Sequence, residues 1–155
     1  MLGEIIYEAK GKVTSLRVLS VEGGIPKIET TISQNGSLRG GTEITLTVTY
    51  WSAPRLSSST EGQATGGSGR GDVGQTVLYA EGQGVLMKKD GSEMATWTGQ
   101  GIAHLSGNKR TDRGSVFCRT SSKGKLAFLN NIVGVFEYEA NLEDGIAGGK
   151  VWEWK

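Results

Sequence analysis

The segment Thr42-Glu43-Ile44-Thr45-Leu46-Thr47-Val48-Thr49-Tyr50 alternates apolar side chains with polar ones, mostly threonine, at period two. β-Branched residues in that order suit a pleated strand with one buried face, and they draw no apolar stripe along a helix. Related patterns recur over residues 4–10, 12–21, 26–34, 75–87, 93–105, 114–121, 132–140 and 150–155, bounded by Gly, Asn, Asp or Ser. No stretch carries a convincing 3.6-residue apolar period. Eight or nine strands with short turns predict an all-β fold, an antiparallel barrel or a sandwich, and the expected form is a single antiparallel β-barrel of about eight strands. Closure into a barrel removes exposed strand edges.

Composition narrows the classes. The 155 residues make one domain, 1–155, with chain enough for a core. Glycine fills 25 positions and proline two, without collagen's period, so the glycines belong to strands and turns. Lys and Arg number 17 against 16 Asp and Glu, a net charge of +1, which provides no field for nucleic acid or an anionic membrane. Acids stand in the first eight residues where a signal peptide needs basic ones, and no apolar run approaches membrane-spanning length. The expected location is cytoplasmic. A single cysteine, Cys118, rules out an internal disulfide and reads as a small buried residue, and a single histidine leaves no multi-His metal site. No cofactor or metal is expected, since phosphate-loop, nucleophile-elbow and zinc-protease motifs are all missing. Gly82-Gln83-Gly84 and Gly99-Gln100-Gly101 lie inside strands and read as sheet glycines.

One hairpin can be set in register. Asp90-Gly91 at the centre of a type I′ turn opposes residues whose numbers sum to 181. Leu78, Ala80, Gly82, Gly84 and Leu86 then share a face with Ala95, Trp97, Gly99, Gly101 and Ala103, and Trp97 covers Gly84. The other face collects Tyr79, Glu81, Gln83 and Val85 with Thr96, Thr98, Gln100 and Ile102. Glu81, opposite Gln100, is the candidate catalytic residue, a carboxylate able to act as acid or base if it lines the lumen. Period two does not say which face is inward. The lumen is the expected side, and a solvated outer acid is the alternative. His104 and Arg119 are weaker candidates that read as surface or rim residues.

Residues 55–74 are almost wholly Ser, Gly, Thr, Gln, Glu and Ala, and predict a long Gly/Ser-rich mobile loop. Within it, Arg70-Gly71-Asp72 resembles the integrin-binding tripeptide. Chance outweighs that match, because nothing else marks the chain as extracellular. Towards the C-terminus, Ile132, Phe136, Tyr138 and Ala140 share one face with Gly134, while Val133 and Val135 make the other partly apolar. An apolar outer wall predicts packing on a further subunit, hence a homo-oligomer. Trp152 and Trp154 share a face and read as core.

The order Tyr79-Ala80-Glu81-Gly82-Gln83-Gly84, Thr96-Trp97-Thr98-Gly99-Gln100-Gly101, Arg113-Gly114-Ser115-Val116-Phe117, Gly124-Lys125-Leu126-Ala127-Phe128-Leu129-Asn130-Asn131 and Val135-Phe136-Glu137-Tyr138-Glu139 resembles the allene oxide cyclase and dirigent-like barrel superfamily. It covers about the C-terminal half. Asn131 stands where that family places a left-handed glycine, and asparagine is the side chain that best tolerates positive φ. The resemblance implies a calycin-like or allene oxide cyclase-like barrel, often trimeric, with an apolar cavity that binds or steers a hydrophobic small molecule. Here that cavity would be lined by Tyr79, Glu81, Gln83, Thr98 and Gln100, with a possible cyclase or stereochemical-steering role. The alternative is a non-catalytic structural homo-oligomer with a lumen filled by side chains.

Overall fold

A computed structural model of the chain describes residues 1–55 and 75–155. Eight strands follow one another in chain order around a closed antiparallel barrel. They are β1 (Leu2–Ser20), β2 (Lys27–Leu38), β3 (Glu43–Pro54), β4 (Gln75–Lys88), β5 (Met94–Ser106), β6 (Lys109–Arg119), β7 (Val133–Asn141) and β8 (Ile146–Trp154). The expected all-β barrel is the fold observed. Arg70-Gly71-Asp72, and the 55–74 segment beyond Arg55, lie outside the described residues.

The barrel is strongly staggered. Following paired residues from Tyr7 through Val151, Phe136, Gly114, Gly101, Ala80, Ser52 and Ile28 returns to β1 at Val18, eleven positions further on. Strand number and stagger together set barrel width, and eight tilted strands leave an interior that side chains fill or that holds one small ligand. The stagger also lets β1 overhang. Its pairing with β8 ends at Lys12, while its pairing with β2 continues to Ser20 past an irregularity between Val13 and Ser15.

The sequence divided β1 at Gly11, but one strand of 19 residues runs through it. Gly11 is a close approach between strands. A Cβ there would lie 1.9 Å from the Ser33 carbonyl oxygen. The β4–β5 register is the expected one, Glu81 opposite Gln100 and Gly84 opposite Trp97. Its turn is different. Gly91 alone of the Asp90-Gly91 pair has positive φ, 78°, and the Gly91 amide donates to the Lys88 carbonyl at 2.8 Å, so the loop is four residues wide and centred on the same point.

One end of the barrel is closed by the β6–β7 connection, where a 3-10 turn (Ala127–Leu129) brings Leu126 and Leu129 into the core with Ile6, Leu38, Ile44 and Leu86. Each buried leucine contributes about 1.5–3 kcal/mol. The Glu93 carboxylate holds this segment from the β4–β5 turn. It accepts from the Leu126 amide at 3.0 Å, the Lys125 amide at 3.2 Å and the Ser122 hydroxyl. Asn131 leaves the connection with φ 65°, the one non-glycine residue with positive φ among the described residues.

Candidate functional site

The inward face of the β4–β5 hairpin is the apolar one. Leu78, Ala80, Leu86, Ala95 and Ala103 are buried, while Glu81, Gln83, Thr98 and Gln100 are exposed and Tyr79 half-buried on the outer wall. The lumen placement of those five side chains is therefore corrected. Small and apolar side chains enter the core, and a carboxylate beside two amides stays in water. Three of them, Tyr79, Glu81 and Gln100, do form a group outside. The Tyr79 hydroxyl lies 2.6 Å from Glu81 Oε1 and 2.7 Å from Gln100 Oε1, and the Trp51 ring meets Tyr79 edge-on at 5.6 Å. His104 and Arg119 are exposed, as expected of rim and surface residues. Trp152 and Trp154 are outside the core too, because β8 turns Val151 inward and so turns its neighbours out.

The barrel interior holds a cavity of about 90 Å³ that is partly open, walled largely by apolar residues such as Ile32, Val48, Val116, Phe136 and Val151. Glycines make room for the larger rings. A Cβ on Gly84 would lie 2.4 Å from the Trp97 indole, one on Gly101 3.0 Å from Phe136 Cζ, and one on Gly149 2.8 Å from Tyr138 Cδ2. Rings resting on neighbouring glycines recover the packing area that glycine strands lack.

Two polar atoms in this apolar wall have no hydrogen-bond partner among the described residues, Gln34 Oε1 and Trp97 Nε1. Gln34 is inward on β2, 2% exposed, and its amide reaches across β1 at Gly11 to donate from Nε2 to the Ala147 carbonyl at 3.2 Å. A carbonyl acceptor fixes the amide orientation and turns Oε1 the other way. Leaving such an atom unpaired costs about 1–3 kcal/mol. Sequence reasoning missed Gln34, although its signal was present. Ile28, Thr30, Ile32 and Gln34 share one phase of β2, and an amide in the inward phase marks a polar point in the core.

The remaining lumen polar groups are already engaged. Asp112 is clamped by Arg110 through Nε at 2.9 Å and Nη2 at 2.9 Å, and Arg110 Nη1 donates to Ser52 Oγ at 3.3 Å. Burial pushes the Tyr138 phenol up to about 12 and raises Tyr7, whose hydroxyl faces it. Tyr50 rises for the same reason, opposed by the nearby Arg110. Burial also raises the Cys118 thiol to about 11, so it stays protonated and behaves as the small apolar residue expected. The interior is suited to recognition by shape and by a few neutral hydrogen bonds.

No family model matches the chain, and no curated protein does. Its fold is similar to that in the crystal structure of a conserved protein of unknown function from Rhodopseudomonas palustris. The two superpose with a TM-score of 0.61 over 99% of this chain and 97% of that one, at 10% identity. Likeness at that identity establishes a shared fold.

Proposed function

We propose that this barrel binds a small, mostly apolar molecule in its interior. The observation that carries the reading is the cavity itself, apolar-walled and lined by two residues, Gln34 and Trp97, that each keep a buried polar atom without a partner among the described residues. Size limits the occupant. At about 90 Å³ the space is below the roughly 150 Å³ of an engineered cavity that takes benzene. A cyclase or steering role, as the allene oxide cyclase and dirigent resemblance implies, would act here by shape on a compact substrate. Xenon-pressurised crystals test the reading. Xenon among Ile32, Val48 and Phe136 is expected, and a lumen that admits none removes it.

A second reading, self-association, is supported by the β1 overhang. From Ser15 to Ser20 this strand pairs with β2 on one edge, and no described strand pairs with the other. Leu16 and Val18 are 68% and 63% exposed there. A free strand edge is complementary to a second copy of itself about a two-fold axis, so the partner proposed is another copy of this chain. Light scattering of the native chain and of Leu16→Lys/Val18→Lys decides it. An oligomer that dissociates in the variant supports the reading, and a monomeric native chain ends it.

A further inference from the structure

We propose that the interior selects an uncharged molecule that presents a hydrogen-bond acceptor to Trp97 Nε1 and, from a different atom, a donor to Gln34 Oε1. This is the chemistry of a small secondary amide. The inference rests on the lumen-binding reading and adds the polar pattern of its ligand.

The two atoms offer opposite functions. An indole N–H only donates, and an amide oxygen only accepts. They also come from different walls. Trp97 is on β5 with its ring on Gly84 of β4, whereas Gln34 is on β2 and its amide crosses β1 at Gly11 to reach Ala147 of β8. Neither can serve the other's partner, so one hydroxyl at one point of a ligand satisfies less than an amide whose C=O and N–H point in opposite directions. Both side chains are held in place. The indole sits where a Gly84 Cβ would be, and the Gln34 amide is pinned to the Ala147 carbonyl. Binding therefore meets a prearranged donor and acceptor.

Charge selects against ions. Asp112, the acid turned towards this space, is neutralised by Arg110, while Glu81 and Glu139 border the cavity with their backbone only and expose their side chains on the outer wall. Among the described residues, an ionic ligand finds no unpaired counter-charge turned into the cavity, and it loses its hydration.

Four probes of six heavy atoms separate the possibilities: N-methylpropanamide, its isomer N,N-dimethylacetamide, benzene and butanoate. They are titrated into the full ¹⁵N-labelled chain, following the Trp97 indole N–H, assigned by its loss in Trp97→Phe. Both amides are expected to move that resonance downfield. The secondary amide is expected to bind roughly tenfold tighter than its isomer, which lacks only the N–H donor. In Gln34→Met the difference between isomers disappears. If that variant does not fold, the isomer comparison in the native chain decides alone. Equal binding of both amides and benzene, or tightest binding of butanoate, overturns the proposed polar pattern and leaves an interior binding site standing. Failure of every probe overturns the proposed polar pattern, and a lumen that also admits no xenon overturns the binding site itself.

Discussion

The Trp97 indole occupies the space above Gly84 that any larger residue would need. A Cβ built there lies 2.4 Å from both Nε1 and Cε2 of the ring. The pair stands in register on β4 and β5 and turns an aromatic ring flat along the inner wall. Gly84→Ala is therefore expected to lower stability by about 1–3 kcal/mol through overpacking. In a Trp97→Leu background the same change costs less, because the obstacle has gone. Urea unfolding of the four chains measures the coupling, and additive losses would show that the two residues do not compete for space.

Glu93 makes the closed end of the barrel sensitive to acid. The Leu126 amide, then the Ser122 hydroxyl, lead the interactions that hold its carboxyl down at about 2, against an ordinary 4.5. A depressed folded-state pKa stabilises fully above the unfolded value and is lost as pH falls through the folded one. The contribution is thus complete above about 4.5 and fades towards about 2. Glu93→Gln is expected to lower the urea midpoint at about pH 6 and to narrow its gap from the native chain at about pH 3. A constant gap between the two chains would refute this role.

Asn131 tests backbone conformation apart from side-chain contact. At φ 65° a β-carbon is strained, so Asn131→Ala is expected to cost about 1 kcal/mol and Asn131→Gly to be neutral or mildly stabilising. Thermal melts that rank alanine at or above glycine would contradict the left-handed turn.

Arg110 and Asp112 form a pair best judged by removing each partner. Arg110→Met strands a carboxylate that is 18% exposed, with an expected loss of about 3–5 kcal/mol. Arg110→Met with Asp112→Asn should recover part of that loss, since no uncompensated charge is left behind. A double variant no more stable than Arg110→Met alone would mean that packing, not charge, dominates here.

The register of one strand pair, β4 with β5, was legible in the sequence residue by residue, while the order of strands around the barrel and the other pairings were not. Period two and the symmetry about Asp90-Gly91 carried the β4–β5 alignment, and they did so through the wrong turn type because a two-residue and a four-residue loop share one centre. The membership of each face was legible as well, but not which face is inward, and the polar side was expected in the interior. Leu78, Ala80 and Leu86 against Ala95 and Ala103 is the set that loses water at least cost. What no local pattern contains is the acceptor for Gln34, which comes from Ala147, 113 positions away and two strands over. Nor does it reveal that Gly11 is the crossing point of that bond rather than a break between strands.

The up-and-down order leaves one seam whose halves are remote in the chain, β1 against β8. Every other strand pair joins successive strands, so hairpins can form early while the cylinder stays open. Zipping this seam must seat Gly148 beside Lys10, in a space where a Cβ would lie 2.9 Å from the Ala9 carbonyl oxygen. A bulkier residue at Gly148 should leave early hairpin formation intact and slow the final closing step, the point at which an open, edge-exposed sheet is most prone to join another molecule.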